Sequence, residues 1–121
     1  MNVETGTIRP TQDAASLGTD PIPAKAYYDP EYWEAERQAI FMKVWINVGH
    51  MIELPESGSF FRREIEFARA SIIVTRGKDG KVRAFHNACT HRGTQIEQAE
   101  CGRKNTFSCP YHMWTFGTDG K

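Results

Sequence analysis

The stretch "CPYHMWTF", residues 109–116, places Cys109 and His112 three positions apart. An earlier stretch, "CTHRG" at residues 89–93, places Cys89 and His91 two positions apart, and seventeen residues separate the two pairs. Thiolate sulfur and imidazole nitrogen are both common metal ligands. Each stretch therefore offers one sulfur and one nitrogen, and the sequence predicts a metal site where two such loops face each other.

The ligand order Cys, His, Cys, His indicates which kind of site this is. With the loops facing, two sulfurs meet at one iron and two nitrogens at the other, which is the ligand set of a Rieske [2Fe-2S] centre. Neutral histidines in place of two thiolates raise the reduction potential to roughly −150 to +300 mV, from about −400 mV in plant-type all-cysteine clusters. A structural zinc ion is the alternative, but zinc fingers usually pair Cys with Cys and His with His.

Composition bounds the class of protein. The 121 residues, 40% of them hydrophobic, are enough for one domain with a core. Fifteen basic and fifteen acidic residues cancel, so nothing indicates a nucleic acid or anionic membrane partner. With no signal sequence and no long apolar run, the chain is expected to be soluble and cytoplasmic. The three cysteines are an odd number, which favours metal ligands or free thiols over disulfides, and Cys101 is expected to be a free thiol.

The order of elements predicts a mainly β, antiparallel domain with an N-terminal arm and one helix. Residues 1–26 lack periodicity and are predicted to be an arm. Asp29 as N-cap and Pro30 at the first helical position predict a helix over residues 30–42. Asp79-Gly80 is predicted to turn a hairpin, and "WTFGTDGK" to begin another. Alternation with period two predicts strands over residues 44–49, 59–65, 70–76, 81–87, 105–109 and 114–118.

The remaining histidines, His50 and His86, are predicted to be structural. Oxygen activation needs a second iron held by two histidines and one carboxylate, with open positions. His50 and His86 lie at separate predicted strand ends, and no paired-histidine motif accompanies them. No catalytic residue is therefore assigned in this chain.

"GKVRAFHNAC", "CTHRG" and "CPYHMWTF" together resemble the N-terminal Rieske domain of the large (α) subunit of aromatic-ring-hydroxylating dioxygenases. The resemblance runs from about Tyr27 to Lys121. It implies that the cluster ligands are Cys89, His91, Cys109 and His112. It also implies a Rieske domain over residues 27–121 that is incomplete at its C-terminal end, with a mononuclear Fe(II) in a catalytic domain that is absent here.

The resemblance further implies a role in electron transfer. A ferredoxin or reductase would supply electrons, which pass to the mononuclear iron of a neighbouring α subunit in a trimeric ring, through an aspartate that meets His112. A β subunit is a further partner of such full-length oxidoreductases, which serve aromatic hydrocarbon catabolism. This chain alone is expected to transfer electrons only. A free-standing Rieske-type ferredoxin is the alternative.

Met113 stands where the family usually has glycine, which predicts a rearranged or more shielded second loop.

Overall fold

A computed structural model describes residues 18, 20, 21 and 23–121 of the chain. Most of the predicted arm therefore lies outside the described residues, and the boundary between residues 26 and 27 stays a prediction. The chain divides into two compact units, Met1–Ala35 and Glu36–Lys121. Among the described residues, no helix has the length and apolar character that crossing a membrane requires.

The predicted helix is present and begins where its capping residue indicates. Asp29 Oδ1 accepts the N–H of Glu31 at 3.0 Å, and the Asp29 carbonyl accepts the N–H of Trp33 at 3.0 Å. Lys25 lies 2.9 Å from the Asp29 carboxylate and is the main cause of its lowered pKa, with the Glu31 N–H adding to the effect. A short helix that the sequence did not predict comes before it. The helical segments are α1 Lys25–Tyr28, α2 Pro30–Glu36 and a π-helical turn Arg37–Phe41.

Two antiparallel sheets form the second unit, which confirms the predicted mainly β fold. The larger sheet has the strand order β3-β2-β1-β4, and the smaller one pairs β5 with β6. The strands are β1 Ser59–Ile65, β2 Ala70–Arg76, β3 Val82–His86, β4 Cys101–Arg103, β5 Thr106–Ser108 and β6 Thr115–Gly117.

Neighbouring residues of β1 serve two separate hydrophobic clusters. Phe61 packs with Val74 and Leu54, whereas Phe60 packs with Ile73 and Phe107. Successive side chains of a strand point to opposite faces, so β1 contributes to the core on both sides. The rings of Phe60 and Phe107 meet edge to face with centroids 5.3 Å apart. Because Phe107 belongs to β5, this contact joins the smaller sheet to the larger one.

Two predictions about strands are wrong. Residues 44–49 form no strand, because β1 already has β2 on one side and β4 on the other. Asn47 Oδ1 instead accepts the N–H of Gly49 at 3.1 Å, a local bond that takes the place of a ladder. Conversely, no strand was predicted around Cys101, yet this residue lies in β4, opposite Phe61. Gly102 in that strand faces Phe60 so closely that a Cβ would lie 3.0 Å from its ring.

The predicted hairpin turn at Asp79-Gly80 is confirmed. Gly77 donates its N–H to the Lys81 carbonyl at 2.8 Å, and Gly80 has a φ of +75°. The "GTDGK" segment repeats this geometry. Gly117 donates to the Lys121 carbonyl at 2.7 Å, and Gly120 has a φ of +87°. The turn predicted after β6 is therefore also present.

Candidate metal centre

Two short loops carry the predicted ligands, and the first spans residues 89–94. The N–H of Cys89 donates to the Thr94 carbonyl at 2.8 Å, and the N–H of Gly93 donates back to the Cys89 carbonyl at 2.7 Å. Gly93 has a φ of +72°. This reciprocal pair closes the loop into a compact turn, which presents Cys89 and His91 from one rigid piece of backbone.

The second loop, residues 109–114, has the same closure. The N–H of Cys109 donates to the Trp114 carbonyl at 2.7 Å, and the N–H of Met113 donates to the Cys109 carbonyl at 2.9 Å. Met113 has a φ of +61° and so occupies the place that Gly93 has in the first loop. The two loops are backbone copies of each other, although their histidines stand at different offsets from the cysteine.

Met113 adopts the left-handed backbone conformation that the closure of the second loop requires, and this conformation strains its backbone. A side chain at positive φ places its Cβ against backbone, which costs roughly 1–2 kcal/mol. The closure of this loop matches that of the first loop, and the Met113 side chain is 68% exposed. The predicted rearrangement or shielding relative to a glycine-containing loop stays a prediction. The departure from glycine is absorbed locally as strain.

The two loops bring the cysteine sulfurs together. Cys89 and Cys109 are both buried and neither forms a disulfide, and the Cys89 thiol lies close enough to contribute to a lowered pKa of the Cys109 thiol. The N–H of Tyr111 is the main cause of a lowered pKa at the Cys109 thiol, and the N–H of His112 adds to it although burial opposes both. Backbone N–H groups directed at sulfur favour the thiolate, which is the form that binds metal.

The histidine nitrogens also meet in a pair. His91 Nδ1 and His112 Nδ1 lie 3.1 Å apart, and the ring centroids are 4.7 Å apart at an interplanar angle of 60°. Both histidines are exposed, in contrast to the cysteines. The arrangement therefore has a buried sulfur end and an exposed nitrogen end.

Aromatic rings hold both histidines in place. The ring of Tyr111 stacks on His112 with centroids 3.8 Å apart. Trp114, from the second loop, stacks on His91 of the first loop with centroids 5.0 Å apart and planes 11° from parallel. The Trp114 contact thus spans the two loops, a role that spacing along the chain does not reveal.

The pairing of like atoms fits a two-iron cluster. A Rieske centre needs two sulfurs at one iron and two nitrogens at the other, which is how the four side chains are grouped. A structural zinc ion, which needs four ligands around one point, stays the alternative.

The structure also places the cysteine and the two histidines that were not predicted as ligands. Cys101 is an exposed free thiol in β4. His50 caps the turn Met51–Glu53. Its ring Nδ1 accepts the N–H of Ile52 at 3.2 Å, and its backbone N–H donates to the Glu53 carboxylate at 2.9 Å. His86 is exposed at the end of β3.

Glu97 anchors the segment that leaves the first loop. Its side chain is 5% exposed and pairs with Lys104, while Oε1 accepts the N–H of Ala99 at 2.9 Å and of Gln98 at 3.0 Å. Burial raises the pKa of this carboxyl. Lys104 and the two N–H groups together outweigh burial, so the net pKa of Glu97 lies below its usual range.

Comparison with known proteins points in the same direction. A family model described as the Rieske [2Fe-2S] domain matches residues 44–121. The carnitine monooxygenase oxygenase subunit of Escherichia coli K12 is 43% identical over 99 residues, which make up 82% of this chain and 26% of that protein.

Two solved structures share the fold. Naphthalene 1,2-dioxygenase from Rhodococcus sp. matches with a TM-score of 0.76 and 39% identity, covering 82% of this chain and 22% of that one. A quaternary ammonium Rieske monooxygenase matches with a TM-score of 0.73 and 40% identity, covering 80% of this chain and 26% of that one. Its structure is reported to give insights into carnitine oxidation and inter-subunit electron transfer. The chain thus spans about a quarter of the length of these relatives.

The strain at Met113 predicts the effect of replacing it. Gly avoids the roughly 1–2 kcal/mol cost of a Cβ at positive φ but loses about 0.5–1 kcal/mol more chain entropy on folding. We therefore expect Met113→Gly to raise the free energy of unfolding by about 0.5–1 kcal/mol in chemical denaturation. Met113→Ala is the matched control, because it removes the exposed side chain and keeps the strain. An equal gain in both variants would contradict this account.

The lowered pKa of Glu97 predicts a dependence of stability on pH. A carboxyl whose pKa is lower in the folded chain stabilises it fully above the ordinary value of 4.5, and this contribution disappears as pH falls through the folded value. Glu97→Gln should therefore lose less free energy of unfolding than the unmodified chain between about pH 7 and about pH 3. Lys104→Gln, which removes the partner, should show a similarly weakened dependence. Thermal unfolding at both pH values measures this, and equal losses in all three proteins would contradict it.

Proposed function

The chain belongs to the Rieske [2Fe-2S] domain family, and from that premise we propose that it is the electron-transfer domain of a larger oxygenase subunit. The observation that carries the proposal is the grouping of the four side chains, with Cys89 and Cys109 buried on two loops of matching closure and the Nδ1 atoms of His91 and His112 3.1 Å apart. The named relatives are oxygenases, which favours this role over that of a free-standing ferredoxin.

We propose that Cys89 and Cys109 hold one iron and that His91 and His112 hold the other through Nδ1. When bound, the [2Fe-2S] cluster supplies a one-electron redox centre, with a potential of roughly −150 to +300 mV. The buried cysteines keep water from the sulfur end of the site. Tyr111 and Trp114 fix the imidazole planes of His112 and His91 by stacking.

The exposed histidine end is the proposed exit for electrons. With Nδ1 of each ring directed inward, Nε2 remains as a donor for a hydrogen bond to a carboxylate or carbonyl of another protein. We propose that the aspartate expected to meet His112 uses this nitrogen. The inter-subunit electron transfer named for a solved relative supports a partner subunit as the electron acceptor.

The whole protein's activity follows from the same family. We propose that the chain is part of an α subunit whose remaining portion holds a mononuclear Fe(II), and that such subunits form a trimeric ring, joined by a β subunit. A ferredoxin or reductase would be the electron donor. The motif resemblance favours an aromatic substrate, and the similarity to naphthalene 1,2-dioxygenase supports this class. The similarity to the carnitine monooxygenase oxygenase subunit makes a quaternary ammonium compound the second candidate class. We propose a cytoplasmic location, because none of the three cysteines is in a disulfide.

Cysteine substitutions test the ligand assignment. We expect Cys89→Ser and Cys109→Ser, after reconstitution with iron and sulfide, to retain less than about a tenth of the cluster of the unmodified chain, because the cluster is held by thiolates. Cys101→Ser is the matched control, since that thiol is exposed and outside the site, and it should keep about two irons per chain. Iron and acid-labile sulfide analysis gives the result. Full iron content in Cys89→Ser, or its loss in Cys101→Ser, would overturn the assignment.

The division of labour within the oxygenase is a separate test. The reconstituted chain should be reduced by a ferredoxin with its reductase, followed as bleaching of visible absorbance, yet form no hydroxylated product with oxygen and naphthalene. The physical reason is that a four-ligand cluster has no open position for oxygen. Hydroxylated product from this chain alone would refute the division.

His91→Cys should keep a cluster and lower its potential toward about −400 mV, because a thiolate replaces a neutral histidine.

A further inference from the structure

The bases of the two loops are closed in different ways. The second loop leaves and rejoins a β-ladder, in which Ser108 pairs with Thr115 and Phe107 with Phe116. The hydroxyls of Ser108 and Thr115 add a hydrogen bond of 2.9 Å across the base, and Thr115 also donates to the Met113 carbonyl at 3.1 Å. Backbone pairing therefore fixes where the second loop starts and ends.

The first loop has no ladder at its base. It follows β3 directly, and the chain that leaves it, residues 95–100, is not in a strand. One side chain takes the place of the ladder. Asn87, which is 3% exposed, accepts the N–H of Glu97 at 2.8 Å and of Ile96 at 3.0 Å through Oδ1. Through Nδ2 it donates to the Glu97 carbonyl at 2.7 Å.

The carboxamide of Asn87 is fully used in this arrangement. Its second Nδ2 hydrogen reaches the Ser71 hydroxyl at 3.2 Å, so that both donors and both acceptor positions have partners. The backbone N–H of Asn87 donates to the Ser71 carbonyl at 2.8 Å and continues the pairing of β2 with β3. Asn87 thus ties the start of the loop, two residues before Cys89, both to its end and to the central sheet.

We propose that Asn87 is the positioning residue of the first loop, setting how Cys89 and His91 approach the second loop. This inference rests on the proposed function, because it concerns the presentation of two proposed ligands. A carboxamide at this position fixes the loop base with three hydrogen bonds to Ile96 and Glu97. Substitution at position 87 therefore loosens one loop and leaves the ladder of the other intact.

Amide exchange in the unreconstituted chain tests the clamp without any cluster. In Asn87→Ala, the N–H groups of Ile96 and Glu97 should exchange at least about tenfold faster, because each loses a buried acceptor. The N–H of Met113, closed within the second loop, should keep its rate. Asn87→Asp retains the acceptor and loses the two donors, so it should fall between the two proteins. Unchanged rates at Ile96 and Glu97 in both variants would overturn the proposal.

Spectroscopy of the reconstituted chain separates positioning from a merely structural role. Asn87→Ala and Asn87→Asp should show broadened EPR lines of the reduced cluster and a shifted midpoint potential, or lose the cluster. Thr75→Val is the matched control, since Thr75 is fully buried and donates one hydrogen bond of 3.1 Å, to the Ser59 carbonyl. It should lower the melting temperature and leave EPR and potential unchanged.

The outcomes distinguish this inference from the proposed function. If both Asn87 variants melt earlier but keep the EPR spectrum and potential of the unmodified chain, Asn87 is structural and the inference is wrong. Altered spectra in Thr75→Val to the same extent would also overturn it. If the unmodified chain takes up no cluster, the proposed function fails, and the exchange rates at Ile96 and Glu97 still decide whether Asn87 clamps the loop. Where Asn87→Ala fails to fold, Asn87→Asp carries both measurements.

Discussion

The constraint on which the structure depends is that two loops must meet with sulfur facing sulfur and nitrogen facing nitrogen. Each loop satisfies this constraint with the same pair of backbone hydrogen bonds, which join its cysteine to the fourth and fifth residues that follow. That closure needs a left-handed residue, which is Gly93 in one loop and Met113 in the other. With this shared closure, the two cysteines are buried while the two histidines meet at the surface.

The sheets serve to hold these loops against each other. The second loop belongs to the small sheet of β5 and β6, which is attached to the large sheet through the edge-to-face contact of Phe107 with Phe60. The first loop leaves β3 and depends on buried side chains, Asn87 at its base and Glu97 beyond it. Polar groups buried this deeply are stabilising only when fully hydrogen-bonded, as both are here. The fold thus combines a ladder on one side with a side-chain clamp on the other.

Local signals in the sequence predicted most of the fold. Asp29 and Pro30 marked the helix start, and Asp79-Gly80 marked a turn, because capping and positive φ are properties of a few adjacent residues. Residues 44–49 alternate as a strand does, which is why a strand was predicted there. They form none, because β1 is already paired with β2 on one side and β4 on the other. β4 was missed because "CGR" is short and is ordered only by pairing with β1.

For the site, spacing predicted four ligands, and the structure brings the two predicted histidines into contact and buries the two predicted cysteines. Spacing did not predict their support, because Trp114 reaches His91 across two loops and Asn87 reaches Glu97 across ten positions. Such contacts exist only once the chain has folded. An asparagine before a cysteine carries no local signal of its own, so its role emerges only from the four hydrogen bonds that its side chain makes.

Pulsed EPR of the reduced, reconstituted chain tests the central claim most directly. With histidine labelled uniformly with ¹⁵N, the account predicts hyperfine couplings from two histidine nitrogens at one iron, one from His91 and one from His112, each lost when that residue is replaced. A reduced cluster without histidine coupling, or coupling that survives replacement of both residues, would contradict it.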